Sequence, residues 1–500
     1  MNKAYTLVCW MVLGWLPLGC TVGPDYQTPA TPVPTTWQGL TVAATAPTSV
    51  PTTTPVQLVE WWKAFHDPTL SSLVNRAITA NLDLRQAQAR VRQARASLGV
   101  AGAGLWPTVD ASGRYSRSYN GSISSGNSGG ASLGAGGNTG TGSSGGYSRG
   151  SPEARDLFQV GLDASWELDL FGGVRRNIEA GEADLQAAEE DRRDVLVSLI
   201  AEVGNNYLNL RGLQQQLAIA RQNLEAQQHT AEITRKRYEA GFVDGLDVAN
   251  ANAQVATTAA QIPPLESSAQ ATVYSLSILL GAEPATLVRE LTPTAAIPPT
   301  PPTVPVGLPS DLLRRRPDIR RAEAQLHAAT ARIGVATADL FPRFSLSGSL
   351  GLSGNNLSAL TDWRNRSWSI GPTVSWPVFD AGRIRWNIEL QNALQEQDLA
   401  AYQKTVLTAL KDVETALVAY AKEQEHGRLL TEAVANDRKA VDLAMQLYVA
   451  GKTDFLNVLN AQRALFLAED ALVQSTRSLS TNLIALYKAL GGGWENQSDG

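Results

Sequence analysis

Cysteine is nearly absent from this 500-residue chain: Cys9 and Cys20 are the only two, too few for a disulfide framework. Histidine is almost as scarce. His66, His229, His327 and His426 stand singly, with no spacing that would hold zinc. No segment reaches the ~18 consecutive apolar residues that a transmembrane helix requires. An excess of one charge is missing too: 42 basic against 47 acidic residues leave a net charge of −5, which makes no electrostatic case for nucleic acid. Two short stretches match enzyme motifs, "GTGSSG" (140–145) a dinucleotide fingerprint and "GYSRG" (146–150) a nucleophile elbow. Both lie in a Gly/Ser tract without the strand-to-helix setting those motifs require. No catalytic residue, metal ligand or cofactor is therefore expected, and no enzyme.

What is present begins at the N-terminus. Lys3, the apolar run Tyr5 to Leu18 and the closing "PLGC" read as an export signal over residues 1–19. Its removal would leave Cys20 as the single mature cysteine. "LPLGC" resembles a bacterial lipobox, in which the cysteine becomes the acylated first residue. Gly19 fits that pattern, Pro17 departs from it, and Thr21 is compatible with outer-membrane sorting. The alternative is ordinary cleavage beside an incidental cysteine. Residues 20–60, with "TPATPVPTTWQG", read as an extended tether.

The strongest signal is a duplication. "DLRQAQARVRQARASLGVAGAGLWP" (83–107) returns as "DIRRAEAQLHAATARIGVATADLFP" (318–342), offset by 235 positions. "SWELDLFGGVRRNIE" (165–179) returns as "SWPVFDAGRIRWNIE" (375–389), and "YEAGFVDGLDVANA" (238–251) as "YVAGKTDFLNVLNA" (448–461), both offset by 210. A Gly/Ser insertion in the first copy accounts for the difference; its composition cannot bury a core and predicts a mobile loop. Three landmarks in one order define repeat 1 (61–283) and repeat 2 (311–490). A proline-rich linker (284–310) joins them, too rich in proline for regular structure, and 491–500 form a tail.

Each repeat reads helix, strand, loop, strand, long helix, turn, helix. In repeat 1 a helix is expected over about 70–104, then strands at about 108–117 and 158–170. In repeat 2 the strands fall at about 344–353 and 368–379, the last interrupted by Pro372 and Pro377. The stretch "FQVGLDASWELDL" alternates without a break. Phe158, Val160, Leu162, Trp166 and Leu168 fall on one face; Asp163, Glu167 and Asp169 fall on the other. Beyond it, leucine or valine recurs every seventh residue at Leu196, Val203, Leu210, Leu217 and Leu224, and no proline occurs from Gly173 to Ala240. That heptad predicts a coiled-coil helix of about 100 Å, which no compact core holds. Gly241 and Gly451 suit left-handed C-caps, with Asp244 and Asp454 capping the next helices. Each repeat thus ends in an antiparallel hairpin with a tight tip.

An amphipathic sheet of strands long enough to cross a bilayer must close on itself, because hydrocarbon leaves no partner for an open edge. Four strands cannot close. Two copies would supply eight and three would supply twelve, enough for a water-filled lumen faced by Asp163, Glu167 and Asp169.

The order of elements and the stretches "CTVGPDYQTP", "WWKAFHDPTLSSLV", "LLRRRPDIRRAE" and "ADLFPRFSLSGSLG" resemble the TolC-like outer-membrane efflux factors, in their NodT-type lipoprotein branch, over essentially the whole chain from Cys20. The resemblance implies an α+β membrane protein: a homotrimer with one 12-stranded outer-membrane β-barrel, four strands per chain, continuous with a long periplasmic α-helical barrel. It implies a passive exit duct for small molecules such as drugs and toxic compounds. The implied partners are outer-membrane lipids, a periplasmic adaptor (membrane fusion) protein and an inner-membrane resistance-nodulation-division pump. A type I secretion duct for polypeptides, or a periplasmic adaptor lipoprotein, are the alternatives. The tips, Tyr238 to Leu246 and Tyr448 to Leu456, would meet the adaptor through Gly241, Phe242, Asp244, Gly451, Lys452 and Asp454. Where relatives carry aspartates that ring the periplasmic mouth, this chain has Asn457 and Asn460, with Asp454 nearby. The arginines of "LLRRRPDIRR" suggest either an anion site or ion pairs at a helix start.

Overall fold

In a computed structural model of the chain, residues 21–39, 50–52, 58–119, 154–301 and 303–495 are described. The export signal, Cys20, the Gly/Ser insertion with its expected mobile loop, and the last five residues lie outside them. The chain divides into two compact units. One comprises Met1–Pro24, Gly99–Ile178 and Ile333–Ile388; the other comprises Asp25–Leu98, Glu179–Arg332 and Glu389–Gly500.

The elements run in order as β1 (Val50–Thr52), α1 (Pro68–Ala80), α2 (Leu82–Ala103), β2 (Thr108–Tyr119), β3 (Ala154–Leu168), α3 (Gly173–Glu239), α4 (Gly245–Leu279) and α5 (Val288–Leu291). Then come β4 (Thr303–Pro305), α6 (Leu312–Arg315), α7 (Pro317–Ala338), β5 (Arg343–Gly354), β6 (Arg366–Ser375), α8 (Arg383–Val449) and α9 (Phe455–Ala489). The duplication is metrically faithful. Helices α3 and α8 each have 67 residues, and α4 and α9 each have 35.

The first unit holds an antiparallel sheet in the order β2-β3-β5-β6. Its strands differ from expectation at their ends. β2 runs on to Tyr119, and β3 begins at Ala154 and stops at Leu168. β6 spans Arg366–Ser375 rather than 368–379, because Pro377 has no N–H to give the ladder. Pro372 is accommodated opposite Leu346, in a strand at the edge of the sheet.

In the second unit the expected helix over 70–104 is two helices. Asn81 takes an extended backbone between them, and its side chain accepts from Leu84 N at 2.9 Å while donating to Leu279 O at 2.9 Å. An asparagine that can bond its neighbours' main chain interrupts a helix for this reason. Leu196, Val203 and Leu210 of the heptad are buried, whereas Leu217 and Leu224 are half-buried. Leu196, Val203 and Leu210 join a core with Trp61, Tyr207, Leu276, Leu417 and Ile484.

The tether and linker are more ordered than their composition suggests. Trp37 is buried, and its indole Nε1 donates to Gly307 O at 3.0 Å. Gln38 N and Gly39 N donate to the two oxygens of Glu414 at 2.8 and 2.6 Å. Val50–Thr52 pairs in parallel with Thr303–Pro305. Burying one tryptophan contributes on the order of 3 kcal/mol, enough to order a short proline-rich segment that has few conformations to lose.

Candidate functional site

The register of the sheet sorts its residues into two faces. Val109, Tyr115, Phe158, Val160, Leu162, Trp166, Leu346, Leu350, Trp368, Ile370 and Val374 form apolar rows, opposite one another strand by strand. The other face is polar. Asp110, Asp163, Ser349 and Ser369 form one row, and Glu167, Ser345 and Thr373 another. Ser112 Oγ donates to Asp163 at 3.3 Å, and Ser349 and Ser369 are bonded at 2.8 Å. Asp163 and Glu167 thus share the polar face. Asp169 does not, which corrects its assignment to the strand. It lies one residue beyond β3, where its carboxylate accepts from Val174 N (3.2 Å) and Arg175 N (3.0 Å) and pairs with Arg175 Nε at 3.2 Å. The orphan amides at the start of α3 claim the nearest carboxylate.

At the foot of the sheet runs a strap formed by Val22 and Gly23. Val22 N donates to Phe171 O at 3.2 Å, and Arg176, itself buried, donates from Nε to Val22 O at 3.2 Å and from Nη2 to Gly23 O at 3.5 Å. Gly23 (φ +90°) passes so close to Gly334 that a Cβ would stand 2.4 Å from its Cα. Cys20, outside the described residues, immediately precedes this strap.

The hairpin tips lie in the second unit. Gly241 (φ +77°) and Gly451 (φ +71°) hold the left-handed turns. Asp244 caps α4 with its side chain, accepting from Leu246 N at 2.9 Å and Asp247 N at 3.2 Å. Asp454 precedes α9 without a side-chain cap bond, contrary to the expected symmetry. Phe242 (74 % exposed), Lys452, Asp454, Asn457 and Asn460 are all exposed, and Asn457 Nδ2 donates to Thr453 Oγ1 at 2.8 Å. A clamp between the hairpins went unread in the sequence. Arg237 stacks 4.5 Å over the Tyr448 ring and donates to Tyr448 O. The Tyr448 hydroxyl donates to Thr234 at 3.1 Å, and Gln462 Nε2 donates to Thr230 at 2.9 Å. Only the pairing of buried Thr230 and Thr234, one helical turn apart, hinted at it. Asp247 has its pKa raised, by partial burial first and then by the carboxylates of Asp244 and Asp454, with Arg237 opposing.

The arginine motif resolves into ion pairs. Arg316 forks onto Asp318 at 2.6 and 2.9 Å and donates to Ala489 O at 2.9 Å. Arg320 and Arg193 meet the fully buried Glu190 at 2.7 and 2.6 Å and flank the Trp494 ring at 5.4 and 4.8 Å. Arg321 pairs with Asp191 at 2.7 Å and Asp194 at 3.1 Å. Burial pushes the Glu190 and Asp194 carboxyls up, against these arginines. No cluster of side chains able to hold a metal occurs among the described residues, and no described helix is long and apolar enough to cross a membrane.

Comparison with known proteins agrees with this architecture. The model of one family, described as "Outer membrane efflux protein", matches residues 73–282 and 308–492. The pyoverdine export outer membrane protein OpmQ of Pseudomonas aeruginosa is 37 % identical over 448 residues, covering 88 % of this chain and 89 % of that protein. Nodulation protein T of Rhizobium leguminosarum bv. trifolii is 32 % identical, covering 95 % of each. Among solved structures, the outer-membrane channel OprN superposes with a TM-score of 0.84 at 37 % identity, over 95 % of this chain and all of that one.

Proposed function

The chain belongs to the outer membrane efflux protein family, and from that premise we propose that it is the exit duct of a tripartite efflux pump. Three copies close one 12-stranded barrel in the outer membrane, and their helices extend into the periplasm. The observation that carries this is the four-stranded sheet, apolar on one face, polar on the other and open at both edges. Open edges are untenable in hydrocarbon, so each β2 and β6 finds a partner strand in another copy. Asp163 and Glu167 then face water in the lumen. The duct is passive, with no chemistry of its own. A periplasmic adaptor and an inner-membrane resistance-nodulation-division pump supply the small-molecule cargo and the energy. Light scattering in detergent is expected to give three copies per particle that conducts in planar bilayers; a conducting monomer would overturn the reading.

Acylated Cys20 adds a lipid anchor beside the barrel. Intact mass decides this, since Cys20→Ser is expected to remove the lipid mass and leave insertion intact, one acyl chain being a weak anchor. The tips, through Gly241, Phe242, Asp244, Gly451, Lys452 and Asp454, meet the adaptor. Substituting Phe242 or Lys452 is expected to weaken adaptor crosslinking, and unchanged crosslinking from both contradicts the contact. Asn457, Asn460 and Asp454 line the periplasmic mouth. Neutral amides hydrogen-bond there without a counterion, so the mouth is less cation-selective than an aspartate ring. Asn457→Asp combined with Asn460→Asp is expected to gain block by multivalent cations in single-channel recordings.

A further inference from the structure

Where β3 gives way to α3, and α7 to β5, the first unit leaves a pocket of about 320 Å³. That is near the lower end of the ~300–1,000 Å³ typical of small-molecule sites. Leu168, Val174, Val335, Ala338 and Pro342 give it half-buried apolar walls, and the exposed Glu167 and Arg343 stand at its mouth. The mouth opens on the polar face of the sheet. Glu167 shares a row with Ser345 and Thr373, and Arg343 precedes Ser345 by two residues, which keeps it on the same side. The charges of the lining do not cancel. Asp169 is committed to the first amides of α3 and to Arg175, and Asp339 is paired with Arg343. Glu167 makes neither a hydrogen bond nor an ion pair among the described residues. One negative charge is left over beside an apolar cavity. The duplication shows that the fold does not require it. At the equivalent positions of the other repeat, Val174, Val335 and Ala338 return as Ile384, Val100 and Ala103, whereas Glu167, Asp339 and Arg343 return as Pro377, Gly104 and Thr108. The apolar set is kept in both repeats and the charges belong to one.

We infer that this pocket is a cargo site for small aromatic organic cations, with Glu167 as the counter-charge and the apolar walls as the seat for the ring system. This rests on the reading of the polar face as the lumen of an exit duct, and it names the chemical class of cargo that the wall retains. Other ligand classes fit less well. A bare metal ion needs several oxygen ligands, and no cluster of side chains able to hold one occurs among the described residues. An anion meets the uncompensated carboxylate of Glu167, while the one cation at the mouth, Arg343, is already held by Asp339. A neutral ring system gains the walls but leaves Glu167 without a partner. The retention is weak by construction. An ion pair at an exposed position contributes little, and a conducting wall must release what it binds. Each copy contributes one such pocket, at the level where the strands hand over to the helices, so a cation leaving the helical part meets these carboxylates before it enters the barrel.

The experiment is single-channel recording of the full-length protein in planar bilayers at neutral pH, with three probes of similar shape: proflavine as the cation, acridine as the neutral form and anthracene-2-carboxylate as the anion. Proflavine is expected to interrupt the current with resolvable dwell times, acridine with shorter ones, and the anion not at all. Glu167→Gln is expected to shorten the proflavine dwell by about fivefold, the most that an exposed ion pair supports, and to leave acridine unchanged. Asn177→Trp, which places bulk in the exposed wall of the pocket, is expected to shorten both. Asp163→Asn removes a lumen carboxylate outside the pocket and is expected to leave the proflavine dwell as it was. As a second readout, proflavine anisotropy with the purified protein in detergent is expected to show the same loss of affinity for Glu167→Gln. Equal dwell times and affinities for Glu167→Gln and the unaltered protein overturn the site. So does a loss from Asp163→Asn as large as that from Glu167→Gln, since the effect then belongs to the general field of the lumen. A protein that conducts without proflavine events also overturns the site and leaves the duct standing, whereas a protein that does not conduct overturns the duct and the site with it.

Discussion

The two hairpin tips share a backbone and differ in what they bury. Tyr238 of the first tip is 50 % exposed, whereas Tyr448, at the same place in the second, is fully buried. It packs with Phe455, Val458, Leu459 and Ala251 in a small cluster of its own. The neighbouring Arg237 explains the asymmetry. It comes from the first hairpin but serves the second, covering the Tyr448 ring. Duplication supplied two hairpins of equal length, and as their sequences diverged one became the host and the other the guest. Tip geometry is therefore a weaker guide to role than the environment of each side chain.

The largest test of that contrast is truncation. Tyr448→Ala is expected to destabilise the hairpin tips by about 3–5 kcal/mol, as for other fully buried aromatics, and Tyr238→Ala by about 0.5 kcal/mol or less. Hydrogen exchange at residues 230–250 and 445–462 measures both; equal acceleration by the two changes would erase the distinction. The next test is capping. Asp244→Ala is expected to cost α4 about 1 kcal/mol, and Asp454→Ala to leave the start of α9 nearly unchanged, because only Asp244 holds amides with its side chain. Exchange rates of Leu246, Asp247 and Asn457 amides read this directly.

The smallest effect is with pH. The folded tip raises the pKa of Asp247, so its protonated form is the better fit. That contribution is fully present below the ordinary aspartate value of about 3.9 and fades as pH rises through the raised value. Tip protection, corrected for intrinsic exchange, is expected to fall over that interval, and Asp247→Asn to remove the dependence. A slope that survives Asp247→Asn assigns it to other groups.

Much of the fold was legible because its signals are periodic. Alternation located all four strands of the sheet, and the heptad and two glycines located the hairpins. Proline near Ser375 shifted one strand end, and Asp169 left its expected face because capping an adjacent helix outweighs strand alternation at the last residue. The order of the tether and linker was hidden for another reason. Trp37, Gly307 and Glu414 are far apart in sequence, and only the assembled core brings them together. The Tyr448 clamp was equally hidden, since a tyrosine and an arginine 211 positions apart carry no local pattern. For the candidate site, the two tips and the polar face of β3 could be read from sequence, but the side chains that fix them could not.

The captured leading segment also sets an order in time. Gln38 and Gly39 are held by a carboxylate 376 and 375 positions later, and Trp37 by a carbonyl 270 positions later. A chain exported from its N-terminus delivers this segment first and its partners much later. Contacts of such separation form slowly, since a long loop must close before they yield anything. The front of the chain therefore waits, with its indole in water, until most of the rest has crossed, and the first residues to arrive are among the last to settle.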